Sequence, residues 1–290
     1  MAQFLKYLLA SILGVLIGTF LLFGIGSLIL AGLASQANKP AAVKPNTVLH
    51  LKFDEPIPEL TNNLQVTTFD FENRETLGLH EMIRTLEQAK NDEDIKGIFM
   101  ETDALAGAGI ATVTQLRNAL LDFRESGKFI IAYSKFYSQG AYYLASAGDE
   151  IYVNPLGLVD FRGFAAQIPF FKDVLDKVGI KMEIFYAGKF KSATEPYRRS
   201  EMSEENRYQT RVYLEAVYRA FLEEISRSRN MEVEKLHRIA NDYQGGNPET
   251  AVETGLIDGI RYRDEVLDDL RIRLGLDEDE KISTLSLKAY

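Results

Sequence analysis

A chain of 290 residues, 46% of them apolar, is long enough to bury a sizeable core, which excludes wholesale disorder. The net charge is -9, and the lysines and arginines are scattered among acidic residues rather than gathered in runs, which argues against a nucleic acid partner. Cysteine is absent, so disulfides, thiolate metal sites and a cysteine nucleophile are excluded; His50, His80 and His237 are the only imidazoles, and none has a second histidine at metal-ligand spacing.

Residues 1–6 form a short tail. Residues 7–34 are almost wholly apolar, with no charge between Lys6 and Lys39. That length predicts one transmembrane helix, which needs about 20 residues; a cleavable signal has an apolar region of roughly 7 to 15, although Ala34, Ser35 and Ala37 resemble a cleavage site. Gly14 and Gly18 form a small-residue pair of the kind that packs on another helix. Lys6 opposes Lys39 and Lys44, so charge alone leaves the orientation open. Residues 35–46, with Pro40 and Pro45, read as a linker, and residues 47–290 as the folded part.

In the folded part Leu49, Leu51 and Phe53 alternate with polar residues, which predicts a strand. Residues 59–76 are polar and irregular, and residues 77–91 carry Leu79, Met82, Ile83 and Leu86 at helical spacing. Short apolar strands at 95–101, 129–133 and 151–153 then alternate with helices at 111–126 and 141–147. This alternation predicts an α/β architecture whose strands are buried on both faces and whose functional loops lie at strand ends. A helix at 169–178 and a strand at 181–186 follow. The longest helix, 203–230, has Ser203 as its cap, Glu204 and Glu205 in its first turn, Arg227 and Arg229 in its last, and a predicted buried stripe of Leu214, Val217, Phe221, Leu222 and Ile225. Helices at 233–241, 248–254 and 264–274 complete the pattern, and residues 281–290 read as the start of another element.

The stretch Tyr186-Ala-Gly-Lys-Phe-Lys-Ser-Ala-Thr-Glu-Pro-Tyr197 places two lysines, a glycine and a proline where an apolar strand stops. A lone lysine is ordinarily a solvated charge. A lysine acting as a base must have its pKa lowered by about 3 units, which costs roughly 4 kcal/mol, and Phe190 with the preceding strand offers an apolar wall for this. Lys189 and Lys191 fall on the same side of an extended chain, so geometry alone does not choose between them. Ser192 points the other way. Glu195 reads as a partner that orients a lysine, as a local hydrogen-bond acceptor, or as a solvated loop carboxylate.

Together with Tyr137-Ser-Gln-Gly-Ala-Tyr-Tyr-Leu-Ala-Ser146 and Val153-Asn-Pro-Leu-Gly-Leu-Val-Asp-Phe-Arg-Gly-Phe164, the stretch Gly188-Lys-Phe-Lys-Ser-Ala-Thr-Glu-Pro-Tyr197 resembles the amino-terminal half of the signal peptide peptidase A family in its long, two-repeat bacterial form. The resemblance implies a crotonase-like, ClpP-like fold of repeated ββα units, preceded by one transmembrane helix. It selects Lys191 as the general base, in a motif similar to Tyr-Lys-Ser-Ala-x-Glu-Pro, with Phe190 where the family has tyrosine. The family nucleophile is a serine of the second repeat, in a motif similar to Ala-Ser-Gly-Gly-Tyr. Aligning on Gly140 and Tyr142 puts Gln139 in its place; Ser138 is one residue off and reads as a helix cap. Ala106-Gly-Ala-Gly109 resembles an oxyanion-forming loop without a function in this repeat.

Residues 47–290 are therefore expected to be the first repeat of a membrane-anchored serine endopeptidase with a Ser-Lys dyad, inactive alone, with a second repeat beyond Tyr290 supplying the serine. The resemblance further implies leftover signal peptides as substrates, a homo-oligomer, no metal or cofactor, and a single-pass protein of the bacterial inner membrane with its bulk outside the cytoplasm. The alternatives are a non-catalytic membrane-anchored scaffold of the same fold and an acyl-CoA enzyme, which would bind adenine nucleotides and against which the anchor weighs.

Overall fold

The computed structural model describes residues 2–37, 43–61, 76–103, 105 and 107–290. The expected irregular stretch at 59–76 lies largely outside them, as do residues 38–42 of the expected linker. The chain forms two compact units, the N-terminal helix and a domain spanning residues 43–288.

The helix α1, Ala2–Ala37, is longer than the anchor read from sequence and takes in the expected tail from Ala2 and the first linker residues. Its span Lys6–Ser27 has a mean hydropathy of 2.5 over 22 residues. At 1.5 Å per residue such a span covers about 33 Å, enough for a bilayer core. The hydroxyls of Thr19 and Ser27 donate to the carbonyls of Val15 and Phe23, each at 2.8 Å, so neither polar group is left unpaired along the apolar surface.

The domain is built on six parallel strands: β1 Thr47–Lys52, β2 Ile95–Glu101, β3 Phe129–Ser134, β4 Glu150–Val153, β5 Gly259–Ile260 and β6 Thr284–Leu285. Their order is β5-β4-β3-β2-β1-β6, so the chain steps outward from β1 through β5 and the last strand returns to the opposite side of β1. The helices are α2 Leu79–Asn91, α3 Ile110–Arg124, α4 Gln139–Ala145, α5 Lys172–Lys177, α6 Glu195–Arg198, α7 Glu204–Arg229, α8 Val233–Asn241, α9 Pro248–Thr254 and α10 Arg263–Leu274. This is the α/β architecture expected from the alternating pattern, and the crotonase-like fold that the resemblance implies.

Apolar runs with little alternation form β2 and β3 because both faces of the sheet are covered. On one face Val48, Phe99, Ile131, Tyr133 and Tyr152 meet Val266, Leu270 and Leu274 of α10. The same face carries His50 and Glu101, and the Glu101 carboxylate takes two hydrogen bonds from Arg263 at the start of α10 (2.6 and 2.8 Å) and lies 2.6 Å from His50 Nε2. Burial pushes this carboxyl up, but the bonds to Arg263 and His50 outweigh it and hold the pKa at about 2.

Beyond the sheet, Arg117 of α3 is fully buried. Its guanidinium donates to Glu224 and Ser228 of α7 (3.1 and 2.7 Å) and to the Tyr143 carbonyl of α4 (3.1 Å). One side chain thus ties three helices together. Phe221 of α7 stacks on Tyr143 and Phe161 at 5.3 and 5.7 Å, which seats the second half of α7 in the core.

Two expectations fail in the same region. Residues 181–186 are not part of the sheet; they have no regular secondary structure and pair with no strand among the described residues. The buried stripe of α7 holds at Phe221, Leu222 and Ile225, where Phe221 packs on Tyr143 and Phe161, whereas Leu214 and Val217 are only half-buried in the first half of the helix, which meets Ser192 through Gln209.

Candidate active site

Lys191 sits in a loop that begins with Gly188, whose φ of 89° lies in the left-handed region that glycine adopts without a Cβ penalty. A turn closes there, with the Lys191 N–H donating to the Gly188 carbonyl at 3.3 Å. The loop ends in α6, where Pro196 occupies the first turn and its missing N–H costs nothing.

Glu195 fixes this loop to the domain. Its side chain is 1% exposed and accepts from the Ser203 hydroxyl (2.5 Å), the Ser203 N–H (3.1 Å), the Asn206 amide (2.9 Å) and Arg198 (3.5 Å). Burial raises its pKa, but the bonds from Ser203 and Asn206 prevail and keep it below the ordinary carboxylate value. Ser203 also caps α7 by accepting from Asn206 N–H, so the carboxylate and the helix start are locked together. Of the readings open from sequence, the local hydrogen-bond acceptor describes this contact: Glu195 is neither solvated nor paired with a lysine, and it positions the loop. Ser192 adds a second tie, its hydroxyl accepting from the Gln209 side chain of α7.

Between these ties the lysines face outward. Lys189 and Lys191 are both exposed. Lys191 lies in an open groove of about 520 Å³ with Phe185, Tyr186, Phe190, Ser192 and Thr194. Tyr186 is held by the Arg198 guanidinium, 3.9 Å above its ring. The apolar wall expected beside the base is therefore present, but Phe185 is 94% exposed and Phe190 55%, so in the single chain that wall stands in water.

The other candidate pole is the start of α4. Ser138 caps this helix, its hydroxyl accepting from Ala141 N–H at 3.3 Å, as its position in the sequence suggested. Gln139, which the resemblance expects in place of a nucleophile, uses its side-chain oxygen to accept the Arg162 N–H at 2.9 Å. Both polar groups at this turn are thus engaged in holding the chain. Ala106 of the small-residue loop lies outside the described residues. Among the described residues no three histidine or carboxylate side chains gather into a metal-binding cluster.

Residues 122–277, which contain both poles, match the family described as Peptidase family S49. The chain belongs to peptidase family S49. Similar S49-type proteins include Protease 4 of Haemophilus influenzae, 29% identical over 250 residues, which make up 83% of this chain and 39% of that protein. The chloroplastic serine protease SPPA of Arabidopsis thaliana is 34% identical over 215 residues, 74% of this chain and 31% of that protein. Protease 4 of Salmonella typhi is 34% identical over 158 residues, 54% of this chain and 26% of that protein. The chain thus spans between about a quarter and two-fifths of the length of these relatives.

The S49 match covers Glu195 and Lys191 alike, but only the lysine was singled out firmly from sequence. The burial of Glu195 had a partial signal in Ser203, a cap followed by Glu204 and Glu205; what could not be read is that the cap and the loop share one carboxylate.

Proposed function

We propose that this chain is the lysine-bearing first repeat of a membrane-anchored serine endopeptidase that degrades leftover signal peptides through a Ser-Lys dyad. The observation that carries the reading is the loop holding Lys191: it is tied to α7 by Glu195 and Ser192 yet presents the lysine in an apolar groove, inside the region matched to S49. Lys191 Nζ takes the proton from a serine hydroxyl, whose oxygen then attacks the peptide carbonyl. Lys191 returns that proton to the departing amine, and afterwards activates the water that releases the acyl group.

The serine comes from a second repeat, for which the greater length of the relatives leaves room. Gln139 and Ser138 are both engaged as described, which supports placing the nucleophile outside this repeat. The apolar helix α1 supports a single-pass anchor in the bacterial inner membrane, with the domain outside the cytoplasm, and the exposed groove supports a homo-oligomer. The second reading, a membrane-anchored scaffold without catalysis, is favoured by one observation, the exposure of Lys191 to water.

Peptide cleavage by the chain extended through the second repeat separates the two. The parent cleaves and Lys191→Ala loses a factor of about 10² to 10⁴, the contribution of a positioned base; equal activity in both would overturn the assignment. The 290-residue chain alone shows no cleavage.

A further inference from the structure

The inner face of α7 changes character along its length. Leading back from Phe221 at helical spacing, the shielded positions are Val217 and Leu214, then Thr210, Gln209, Asn206 and Ser203. An apolar stripe thus gives way to four polar side chains over the first two turns, on the side that meets the lysine loop. Apolar packing has no direction, whereas polar groups shielded from water must be paired, and each pairing fixes a distance and an angle. The Gln209 amide donates to the Ser192 hydroxyl and to Asn206 Oδ1 (3.4 Å), which also accepts from the Thr210 hydroxyl at 3.3 Å. Asn206, 3% exposed, gives its own amide to Glu195 at 2.9 Å.

The two ends of this network hold different parts of the loop. Glu195 stands at the start of α6, four residues beyond Lys191, while Gln209 reaches Ser192, the residue next to the lysine. Among the described residues, Gln209 is the only side chain hydrogen-bonded to residues 187–193. Ser192 also gives its carbonyl to the Glu195 N–H at 2.9 Å, so it is fixed by both side chain and main chain. The planar peptide between Lys191 and Ser192 is fixed with it, and so is the point from which the lysine side chain departs. Among the described residues nothing bonds the Lys191 ammonium, so its direction is set from this backbone end.

We infer that Gln209 is a positioning residue for Lys191, acting through the Ser192 hydroxyl to fix the backbone that aims the ammonium group into its groove. This role rests on the reading of Lys191 as the base, and adds to it a residue of another element, 17 positions on from Ser192. A base must lie within hydrogen-bond reach of the proton it takes, and a misplacement of about 1 Å costs on the order of 100-fold in rate. Binding of the peptide does not depend on that alignment. Loss of the Gln209 bond therefore falls on kcat rather than on KM.

Two preparations test this. In the chain extended through the second repeat, Gln209→Leu, of similar length but without the donors, lowers kcat about 10- to 100-fold and leaves KM within about twofold. Ser192→Ala does the same, and the double variant is no slower than the slower single one, because both remove one bond. In the 290-residue chain in detergent micelles, Gln209→Leu quickens amide exchange at residues 189–193 at least about tenfold while its melting temperature falls by no more than about 4 °C. A Gln209→Leu enzyme with the parent kcat, beside a Lys191→Ala that has lost activity, overturns the inference alone. So does a loss carried by KM, a double variant whose losses add, or exchange at 189–193 that keeps the parent rate. An inactive parent, or activity indifferent to Lys191→Ala, overturns the base reading and the inference with it.

Discussion

Around the sheet, apolar side chains are covered on every side, whereas between residues 162 and 213 they stand largely in water. The first region closes on itself: Phe99, Ile131 and Leu270 are at most 1% exposed, and even the charged Arg117 finds its partners within the domain. The second keeps a firm base, with Glu195 and Ser192 fastened to α7, and an open outer side around Phe185. The same chain therefore contains a part stabilised by its own packing and a part whose geometry is fixed at a few points only. Lys191, the proposed base, lies on the second part.

The contrast is most easily broken from the core side. Arg117→Ala removes the donor to Glu224, Ser228 and the Tyr143 carbonyl and leaves those acceptors in a buried site, so thermal or denaturant unfolding should show a loss of about 3–5 kcal/mol. A loss below 1 kcal/mol would mean that α3, α4 and α7 are held by apolar packing alone.

Acid tests the sheet face. The folded pKa of Glu101 is lowered to about 2, so its stabilisation is fully present above the ordinary value near 4.5 and is lost as pH falls through the folded value. The contribution is on the order of 2–3 kcal/mol. Unfolding free energy measured from pH 6 down to pH 2 should fall more steeply for the parent than for Glu101→Gln; parallel curves would remove Glu101 from the account.

Glu195→Gln should cost about 2 kcal/mol, because an amide cannot accept all the bonds the carboxylate takes from Ser203, Asn206 and Arg198. Its more telling effect is local: hydrogen exchange should quicken at residues 187–199 while β1 to β4 remain as protected as in the parent. Uniform loss of protection would place Glu195 with the core rather than with the loop.

The sequence was most legible where one local rule governs. Alternation announced β1 and apolar runs β2 to β4, Ser203 and Ser138 announced their helices, and the terminal arginines marked the end of α7. It was least legible where the deciding partner is distant or lies outside the chain. Residues 181–186 have strand composition, but a strand needs a neighbour, and none of the described strands pairs with them. Leu214 and Val217 continue the spacing of Phe221 and Leu222 without the sheet beneath them. Arg117 occupies a helix position where sequence reads surface charge; only Glu224 and Ser228, more than a hundred residues later, make its burial possible. At the candidate site, the resemblance selected Lys191 as the expected base, while the burial of Glu195 depends on a fold-back of eight to eleven residues that no periodicity announces.

The pairing of β6 with β1 sets a timetable for synthesis. Val48 is joined to Thr284 and Leu49 to Leu285, so one edge of the first strand waits for residues translated some 236 positions later. At about 5–20 residues per second that edge stands open for roughly 10–50 s. During that interval β1 can be captured by a strand of a neighbouring nascent chain, and the last few dozen residues, remote from the lysine loop in sequence, decide when that hazard ends.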